Sequence, residues 1–311
     1  MNEFLANQYE ESKLLVLYIS RMSIHNGPGM RTLVQLKGCP LRCLWCSTPE
    51  SQKFEPQLAY DKSKCILCLR CIDNCEADAI YLKDNHIEID RRLCTDCGDC
   101  TKVCHSKALW EYGQYMSAKE LVDEIVKDRL FFKHSGGGVT LSGGEPLAHV
   151  DKIMELIQLL KKENIRIGVD TTGYLPQAKL AEALPYIDFF LWDVKCMDTQ
   201  KHKELTGVDN SLIFENLKFV SEQGVAVYLR YPVIPGMNDS EQELRAVCNF
   251  AKDLTSLVQI DLLPVHHLGR ARYASLGSEY PLENIALISD EAMHEMKHIV
   301  ESYGLKCTIG G

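Results

Sequence analysis

From Ser117 onward the apolar positions alternate between short β-type runs and helical stretches. Ser117 followed by Glu120 is a capping box, and it opens a helix through Arg129. Strands are predicted at Val139 to Leu141, Ile165 to Val169, Asp188 to Val194, Val225 to Tyr231, Val258 to Leu263 and Leu305 to Ile309. Helices fall between them at Val150 to Lys162, Gln177 to Leu184, Ser211 to Gln223, Ser240 to Leu254 and Asp290 to Tyr303. Strands alternating with helices imply right-handed β-α-β units and a parallel sheet, in a partial or full (β/α) barrel. Upstream, Lys13 to Ser20 and Arg31 to Leu36 read as strands, with Gly27-Pro28-Gly29 as the loop between them. A segment from about Lys53 to Tyr112 interrupts the pattern, with short strands expected around Ala79 to Tyr81 and Ile87 to Ile89. The expected division is therefore 13–52 with 113–311 as one unit and 53–112 as an insert.

Polar residues collect where these strands end. Ser142-Gly143-Gly144-Glu145 follows one strand and Asp170-Thr171-Thr172-Gly173 the next. Asp193 and Lys195, two residues apart and so on one face, end the third. Arg230 ends the fourth and His266 follows the fifth. Parallel-barrel enzymes place their chemistry at this rim. The Gly136-Gly137-Gly138 run reads as a flexible loop.

Composition narrows the classes. The 311 residues are 46% hydrophobic and 25% charged, a balance able to bury a sizeable core. Lys plus Arg total 34 against 43 Asp plus Glu, a formal charge of -9, which argues against nucleic acid as a partner. No apolar run is long enough for a membrane span, and Met1 to Lys13 lacks the form of a secretory signal. The expectation is a cytoplasmic protein.

The 14 cysteines change the picture most. In a long chain expected in a reducing compartment, clustered thiols read as metal ligands rather than a disulfide scaffold. Cys65, Cys68, Cys71 and Cys75 have the spacing C-x2-C-x2-C-x3-C, and Cys94, Cys97, Cys100 and Cys104 repeat it 29 residues later. This is the bacterial ferredoxin spacing, in which the fourth cysteine of each run serves the other [4Fe–4S] cluster. One cluster is thus expected on Cys65, Cys68, Cys71 and Cys104, the other on Cys94, Cys97, Cys100 and Cys75. Glu76 and His105 replace the usual following proline. Zinc knuckles are the alternative. A further group, Cys39, Cys43 and Cys46, supplies three thiolates for a cluster of four irons, leaving one iron open to a substrate unless a distant residue such as Cys196 closes it. Cys248 and Cys307 read as core thiols.

Cys39-x3-Cys43-x2-Cys46, with Trp45 before the last cysteine, resembles the signature of the radical S-adenosylmethionine (SAM) enzymes. Ile24 to Arg31 (IHNGPGMR) and Lys37 to Cys43 (KGCPLRC) resemble the glycyl-radical enzyme activating enzymes, in the subgroup with a ferredoxin-like insert. Thr48 departs from the Asn common there. The resemblance implies an α/β fold: a partial (β/α)6 TIM-like barrel with an inserted ferredoxin-like two-cluster domain. It implies three [4Fe–4S] clusters, SAM and a monovalent cation, Na+ or K+. It assigns catalysis to Cys39, Cys43 and Cys46, and SAM contacts to Trp45, Ser47, Gly143, Gly144, Glu145, Asp170, Asp193, Val194, Lys195, Arg230 and His266. Within that set Glu145 balances the SAM ammonium and Lys195 the carboxylate, while Asp170, Thr171 and Asp193 hold the cation with the Leu191 carbonyl. Two plainer readings stand beside these: a tight βα turn with a helix-capping Glu145, and an ordinary Asp193–Lys195 ion pair. His267 reads as structural or solvent-facing.

The implied activity is reductive cleavage of SAM to a 5′-deoxyadenosyl radical that takes a hydrogen from a glycine of a partner glycyl-radical enzyme. A one-electron donor such as flavodoxin or ferredoxin is the implied second partner. A radical SAM enzyme acting on a small molecule, and a ferredoxin-like electron carrier, are the competing readings.

Overall fold

The computed structural model describes residues 13–310, so all of the stretch read for a secretory signal except Lys13 lies outside the described residues. The strands are β1 (Leu14–Ser23), β2 (Arg31–Leu36), β3 (Gln57–Tyr60), β4 (Ile80–Lys83), β5 (His86–Ile89), β6 (Leu109–Tyr112), β7 (Gln114–Met116), β8 (Gly138–Gly143), β9 (Arg166–Thr171), β10 (Phe189–Asp193), β11 (Ala226–Val233), β12 (Leu257–Pro264) and β13 (Cys307–Ile309). The helices are α1 (Arg70–Asp73), α2 (Asp99–Lys102), α3 (Ala118–Ile125), α4 (Arg129–Ser135), α5 (Val150–Lys162), α6 (Gln177–Ala183), α7 (Thr199–Thr206), α8 (Ser211–Glu222), α9 (Glu241–Ala251), α10 (Arg270–Ser275) and α11 (Asp290–Ser302).

Nine strands form one sheet in the order β13-β12-β11-β10-β9-β8-β2-β1-β7. From β2 to β13 every neighbouring pair is parallel. β1 runs antiparallel to both β2 and β7, because the short loop between β1 and β2 cannot carry a crossover. Both faces of the central strands are covered: Phe190, Leu191, Trp192, Val227, Leu229, Ile260 and Leu262 are all buried. The helices supply the outer layer through apolar stripes such as Ile153, Leu156, Ile157 and Leu160 of α5.

The capped helix at Ser117 ends sooner than its pattern suggests. α3 stops at Ile125, and a turn at 126–128 leads into α4. The cause is Asp128, which faces inward to accept hydrogen bonds from Thr32 Oγ1 (2.6 Å) and Arg21 Nη1 (2.7 Å). The glycine run also differs from its reading as a flexible loop. Gly136 closes α4 with φ +69, and Gly138 begins β8. A Cβ on Gly137 would lie 1.8 Å from Met30 O, so the run is packed against the 24–30 loop. That loop covers the N-terminal ends of the strands, where buried Arg31 donates to Thr140 Oγ1 (2.6 Å) and Val139 O (2.5 Å). Ile24 to Arg31 thus closes one end of the sheet, and the cysteines lie at the other.

The 53–112 segment has two small antiparallel sheets, β3 with β6 and β4 with β5. Asp84 (φ +47) and Asn85 (φ +60) make the tight turn that the β4–β5 hairpin twist demands. Its 29-residue repeat extends to the backbone. Leu67 and Asp96 both have φ +56, Leu69 and Gly98 have +62 and +77, and Asp78 and Lys107 have +48 and +52.

Candidate functional site

Cys39, Cys43 and Cys46 lie on the loop that leaves β2, at the C-terminal rim of the parallel strands. The loop is pinned by the main chain: Gly38 N donates to Ser51 O (2.7 Å), Arg42 N to Thr206 O (2.7 Å) and Leu44 N to Leu205 O (3.0 Å). The last two anchors come from the end of α7, a helix the sequence reading missed. Burial pushes the Cys43 thiol up to about 12, opposed by nearby Lys195 and reinforced by Cys46 and Asp193. Burial raises Cys39 and Cys46 as well, with Glu145 and Cys43 adding to the effect at Cys39. Three adjacent half-buried thiols suit metal thiolate chemistry, since a bound cation balances the charge left by deprotonation.

Gly143 (φ +109) and Gly144 bring β8 against this loop. A Cβ would lie 2.3 Å from Leu36 O at the first and 2.3 Å from Gly38 O at the second. The close approach they permit here is to the cysteine loop itself. Glu145 is fully buried, and all four of its acceptor positions are used. Oε1 accepts from Leu147 N (3.1 Å) and Thr171 Oγ1 (2.7 Å), and Oε2 from Thr172 N (2.7 Å) and Thr172 Oγ1 (2.6 Å). Burial drives this carboxyl upward against those four bonds, which favour the ionised form. The Leu147 bond is the helix-capping arrangement of the plainer reading, and the Thr171 and Thr172 bonds tie the β8 rim to the β9 rim.

Asp170, Asp193 and Lys195 at the ends of β9 and β10 meet Arg230, which lies beside Asp193 within β11 rather than at its end, since that strand runs on to Val233. Asp170 Oδ2 accepts from Ser142 Oγ (2.8 Å) and Arg230 Nη1 (3.1 Å). Lys195 Nζ pairs with Asp193 Oδ2 at 2.7 Å and is almost fully buried. Burial works against the Lys195 charge, yet Asp193 and the Cys43 and Cys39 sulfurs hold it above its usual range. Burial also raises the Asp170 carboxyl, against the pull of Arg230. The side chains expected to hold a cation are engaged with one another here: Thr171 donates to Glu145, Asp170 accepts from Arg230, and Asp193 pairs with Lys195. Val194 is buried beside them, its N–H on Arg230 O (2.9 Å).

The chain after β12 folds over the cysteine loop. Gly269 passes so close that a Cβ would lie 3.2 Å from Ser47 Cα. Trp45 packs with Ile234, Val265 and Leu282, while His266 and Ser47 are exposed at the opening. His267 is structural: Nδ1 bonds the Tyr280 hydroxyl at 3.1 Å. Thr48 Oγ1 lies 3.3 Å from Ser51 Oγ, next to the Glu50 turn. Arg272, missed by the sequence reading, pairs with the fully buried Glu50 at 2.7 Å, and Tyr18 OH donates to the same oxygen at 3.3 Å. Asn238 was missed too; it ties Lys195 O (2.8 Å), Pro232 O (2.6 Å) and Ile234 N (2.7 Å) into one knot behind the rim.

In the 53–112 segment, Cys65, Cys68, Cys71 and Cys104 together line one small pocket. Burial raises the Cys71 thiol, with Cys65, Cys104 and Cys68 adding to it, and burial raises Cys100 up to about 12, with Cys94, Cys97, Cys71 and then Cys75 adding to it. Cys104 thus stands with the first run's trio around one pocket. Main-chain N–H groups of Ala79 and Leu109 point at Cys75 Sγ (3.3 Å) and Cys104 Sγ (3.4 Å). Cys196 stands apart from the first triad, its Sγ on Asp198 O (3.6 Å), so it does not complete that group. Cys248 and Cys307 are buried in the main core.

The profile of the Radical SAM superfamily matches residues 34–248, which spans the triad and the rim just described. The isethionate sulfite-lyase activating enzyme of Nitratidesulfovibrio vulgaris is 40% identical over 289 residues, covering 91% of this chain and 93% of that protein. The trans-4-hydroxy-L-proline dehydratase activating enzyme of Clostridioides difficile is 38% identical over 300 residues, covering 96% and 99%. Among solved structures, Streptococcus suis SuiB bound to precursor peptide SuiA has a TM-score of 0.52 at 12% identity, covering 90% of this chain and 48% of that chain, a likeness of fold alone. The chain belongs to the radical SAM superfamily and, within it, to the activating enzymes of glycyl-radical enzymes.

Proposed function

We propose that this protein installs a glycyl radical in a partner enzyme, with SAM as the co-substrate cleaved. The observation that carries the reading is the half-buried triad Cys39, Cys43 and Cys46, set at the strand rim with Lys195 beside it. A [4Fe–4S] cluster on the triad, with SAM on its open iron, supplies one-electron cleavage of a C–S bond and a 5′-deoxyadenosyl radical that takes hydrogen from a glycine Cα.

The chain's own part is to bind, orient and exclude water. Lys195 holds the SAM carboxylate. Trp45 and Ser47 line the adenine side, with Val194 as an apolar wall, and His266 and Arg230 flank the adenosine. Arg230 is fixed for this by Asp170. Gly143, Gly144 and Glu145 form the amino-group side, where Glu145 acts by locking the two rims and contributing its buried negative charge. A monovalent cation, Na+ or K+, on Asp170, Thr171, Asp193 and the Leu191 carbonyl belongs to the same reading, with Arg230 and Lys195 as the neighbouring charges.

In this reading the units are 13–52 with 113–311, a partial barrel of six strand–helix repeats, and a ferredoxin-like insert over 53–112 holding two further [4Fe–4S] clusters. The cavity lined by Cys65, Cys68, Cys71 and Cys104 supports the insert assignment, since it gathers the four thiols the spacing assigns to one cluster. The two quartets would hold these clusters, which would supply a route for electrons from a donor such as flavodoxin or ferredoxin in a cytoplasmic setting. Among the described residues no helix is long and apolar enough to cross a membrane. The test is anaerobic: reduced protein with SAM yields 5′-deoxyadenosine, and Cys43→Ala abolishes it with circular dichroism unchanged. Nucleoside formation by Cys43→Ala at the wild-type rate would refute the assignment.

A further inference from the structure

The two cysteine runs of the 53–112 segment repeat at 29 residues, so each position in one loop has a counterpart in the other. The backbones match: Leu69 and Gly98 have φ +62 and +77, and Asp78 and Lys107 have +48 and +52. The side chains do not. Around Cys68 stand Ile66, Leu69 and Arg70, and in the same places around Cys97 stand Thr95, Gly98 and Asp99. Lys107, three residues after Cys104, has Asp78 as its counterpart after Cys75. Arg70 Nη1 bonds His105 Nε2 at 2.6 Å, which brings the end of the second run beside the first loop.

The mouths of the two quartets differ accordingly. Ile66 and Leu69 line the pocket of Cys65, Cys68, Cys71 and Cys104, yet both are exposed, Ile66 to 68%. Arg70 and Lys107 are exposed as well, and neither pairs with a carboxylate among the described residues. In the second loop Gly98 is buried beneath Glu111, whose carboxylate a Cβ there would strike. Asp99 pairs with Lys102 at 2.6 Å. Asp96 accepts from Leu58 N (2.9 Å) and pairs with Lys53 (3.2 Å). Next to Lys53, Gln52 O receives the N–H of Cys39 (3.2 Å). The loop of Cys94 to Cys100 is thus acidic and tied to the chain that carries the first triad, whereas the loop of Cys65 to Cys71 turns an apolar, cationic face to solvent.

We propose that Ile66, Leu69 and Arg70, with Lys107, form the docking surface of a small acidic one-electron carrier, and that electrons enter through the quartet beneath it. This rests on the reading that each quartet holds a [4Fe–4S] cluster. The chain carries a formal charge of -9, so an acidic carrier is repelled except where a local cationic patch steers it. Two exposed apolar side chains set among such charges supply the dry contact, and transient redox interfaces are small. The carboxylates around the second quartet turn the same carrier away. One electron leaves the reduced carrier, passes by way of the two quartets to the triad, and is consumed in breaking the C–S bond of SAM.

The experiment uses the reconstituted full chain with a bacterial flavodoxin as the acidic probe, its binding read by calorimetry at low and high ionic strength. Ile66→Thr, Leu69→Gly and Arg70→Asp together give the first loop the side chains of the second. That variant binds flavodoxin about tenfold more weakly and loses most of the salt dependence, at unchanged iron content. Its reduction by reduced flavodoxin slows to match, while reduction by dithionite does not. Lys102→Asp, an equal charge reversal beside the second quartet, leaves binding as it was. If the triple variant loads less iron, Ile66→Thr with Lys107→Asp carries the same expectation and the same refutation. A wild type that does not bind flavodoxin, an unmoved affinity in the iron-replete variant, or an equal loss from Lys102→Asp overturns the proposal. Failure of the underlying reading shows separately, as a wild-type chain holding about four irons instead of about twelve.

Discussion

The parallel sheet and the 53–112 segment hold themselves together by different means. The sheet has a continuous apolar core running from Leu14 on β1 to Cys307 on β13, with helices packed against it. The segment's own core is six buried residues, Leu58, Cys71, Ile80, Ile87, Cys100 and Leu109, and two of these are cysteines. A core so small does not offset the chain entropy of ordering some sixty residues, at about 1–2 kcal/mol each for the backbone alone. The segment thus depends on what its thiols bind, whereas the sheet presents its rim groups on a frame that is stable without them.

The largest expected effect follows directly. Removing iron with a chelator under anaerobic conditions unfolds the segment and spares the sheet. Hydrogen exchange reads this as near open-chain rates in β3 to β6 beside retained protection in β9 to β12. Simultaneous loss of both would break the comparison. Next is Glu145→Ala, which strands the Thr171, Thr172 and Leu147 donors at the buried rim. The expected loss is about 3 kcal/mol of sheet stability, from roughly 1–3 kcal/mol per unsatisfied buried group, together with weakened SAM binding. Denaturant midpoints and SAM titration measure the two, and the segment's cluster signals stay as they were.

Arg272→Ala has a smaller effect. It leaves the buried Glu50 carboxylate with Tyr18 and no cation at hydrogen-bond range, and costs about 2 kcal/mol, since Arg272 is itself partly exposed. The expected signature is loosening of the α10 region in exchange experiments.

Lys37 gives the mildest effect and a pH signature. Its Nζ is buried on Glu50 O, and burial lowers it to about 8. Between about pH 8 and the ordinary lysine value near 10.4, the unfolded chain binds more protons than the folded one, so stability rises with pH through that window. Lys37→Met flattens that rise in a melting series, and an unchanged slope would discount the burial of this charge.

Much of the sheet was legible because its signals are local. α5 spans Val150–Lys162 as its apolar spacing predicts, and the Ser117 and Ser240 caps sit where hydroxyls accept from Glu120 and Glu243 N–H. α7 was missed although Asp198 and Gly207 bracket it as caps, because its few apolar residues gave no stripe. α10 is too short for a period to register. The triad and the rim polar residues were legible from spacing and from their places after strands. Of their pairings, Asp193 with Lys195 was open to the sequence because the two stand two residues apart, whereas Arg230 with Asp170 depends on strands sixty residues apart in the chain. Gly137 and Gly138 misled for the same reason, as Met30, which crowds the first and accepts from the N–H of the second, lies on another strand's entry loop.

The central claim is that three thiolates, and not four, hold the reactive cluster. Iron and acid-labile sulfide assay with and without SAM, on wild type and on the Cys39→Ala, Cys43→Ala, Cys46→Ala variant, tests it most directly. At about four irons per cubane the expected contents are about twelve in the wild type and about eight in the variant, and only the wild-type spectrum responds to SAM. Zinc in place of iron, or a SAM response that survives loss of the triad, contradicts the account.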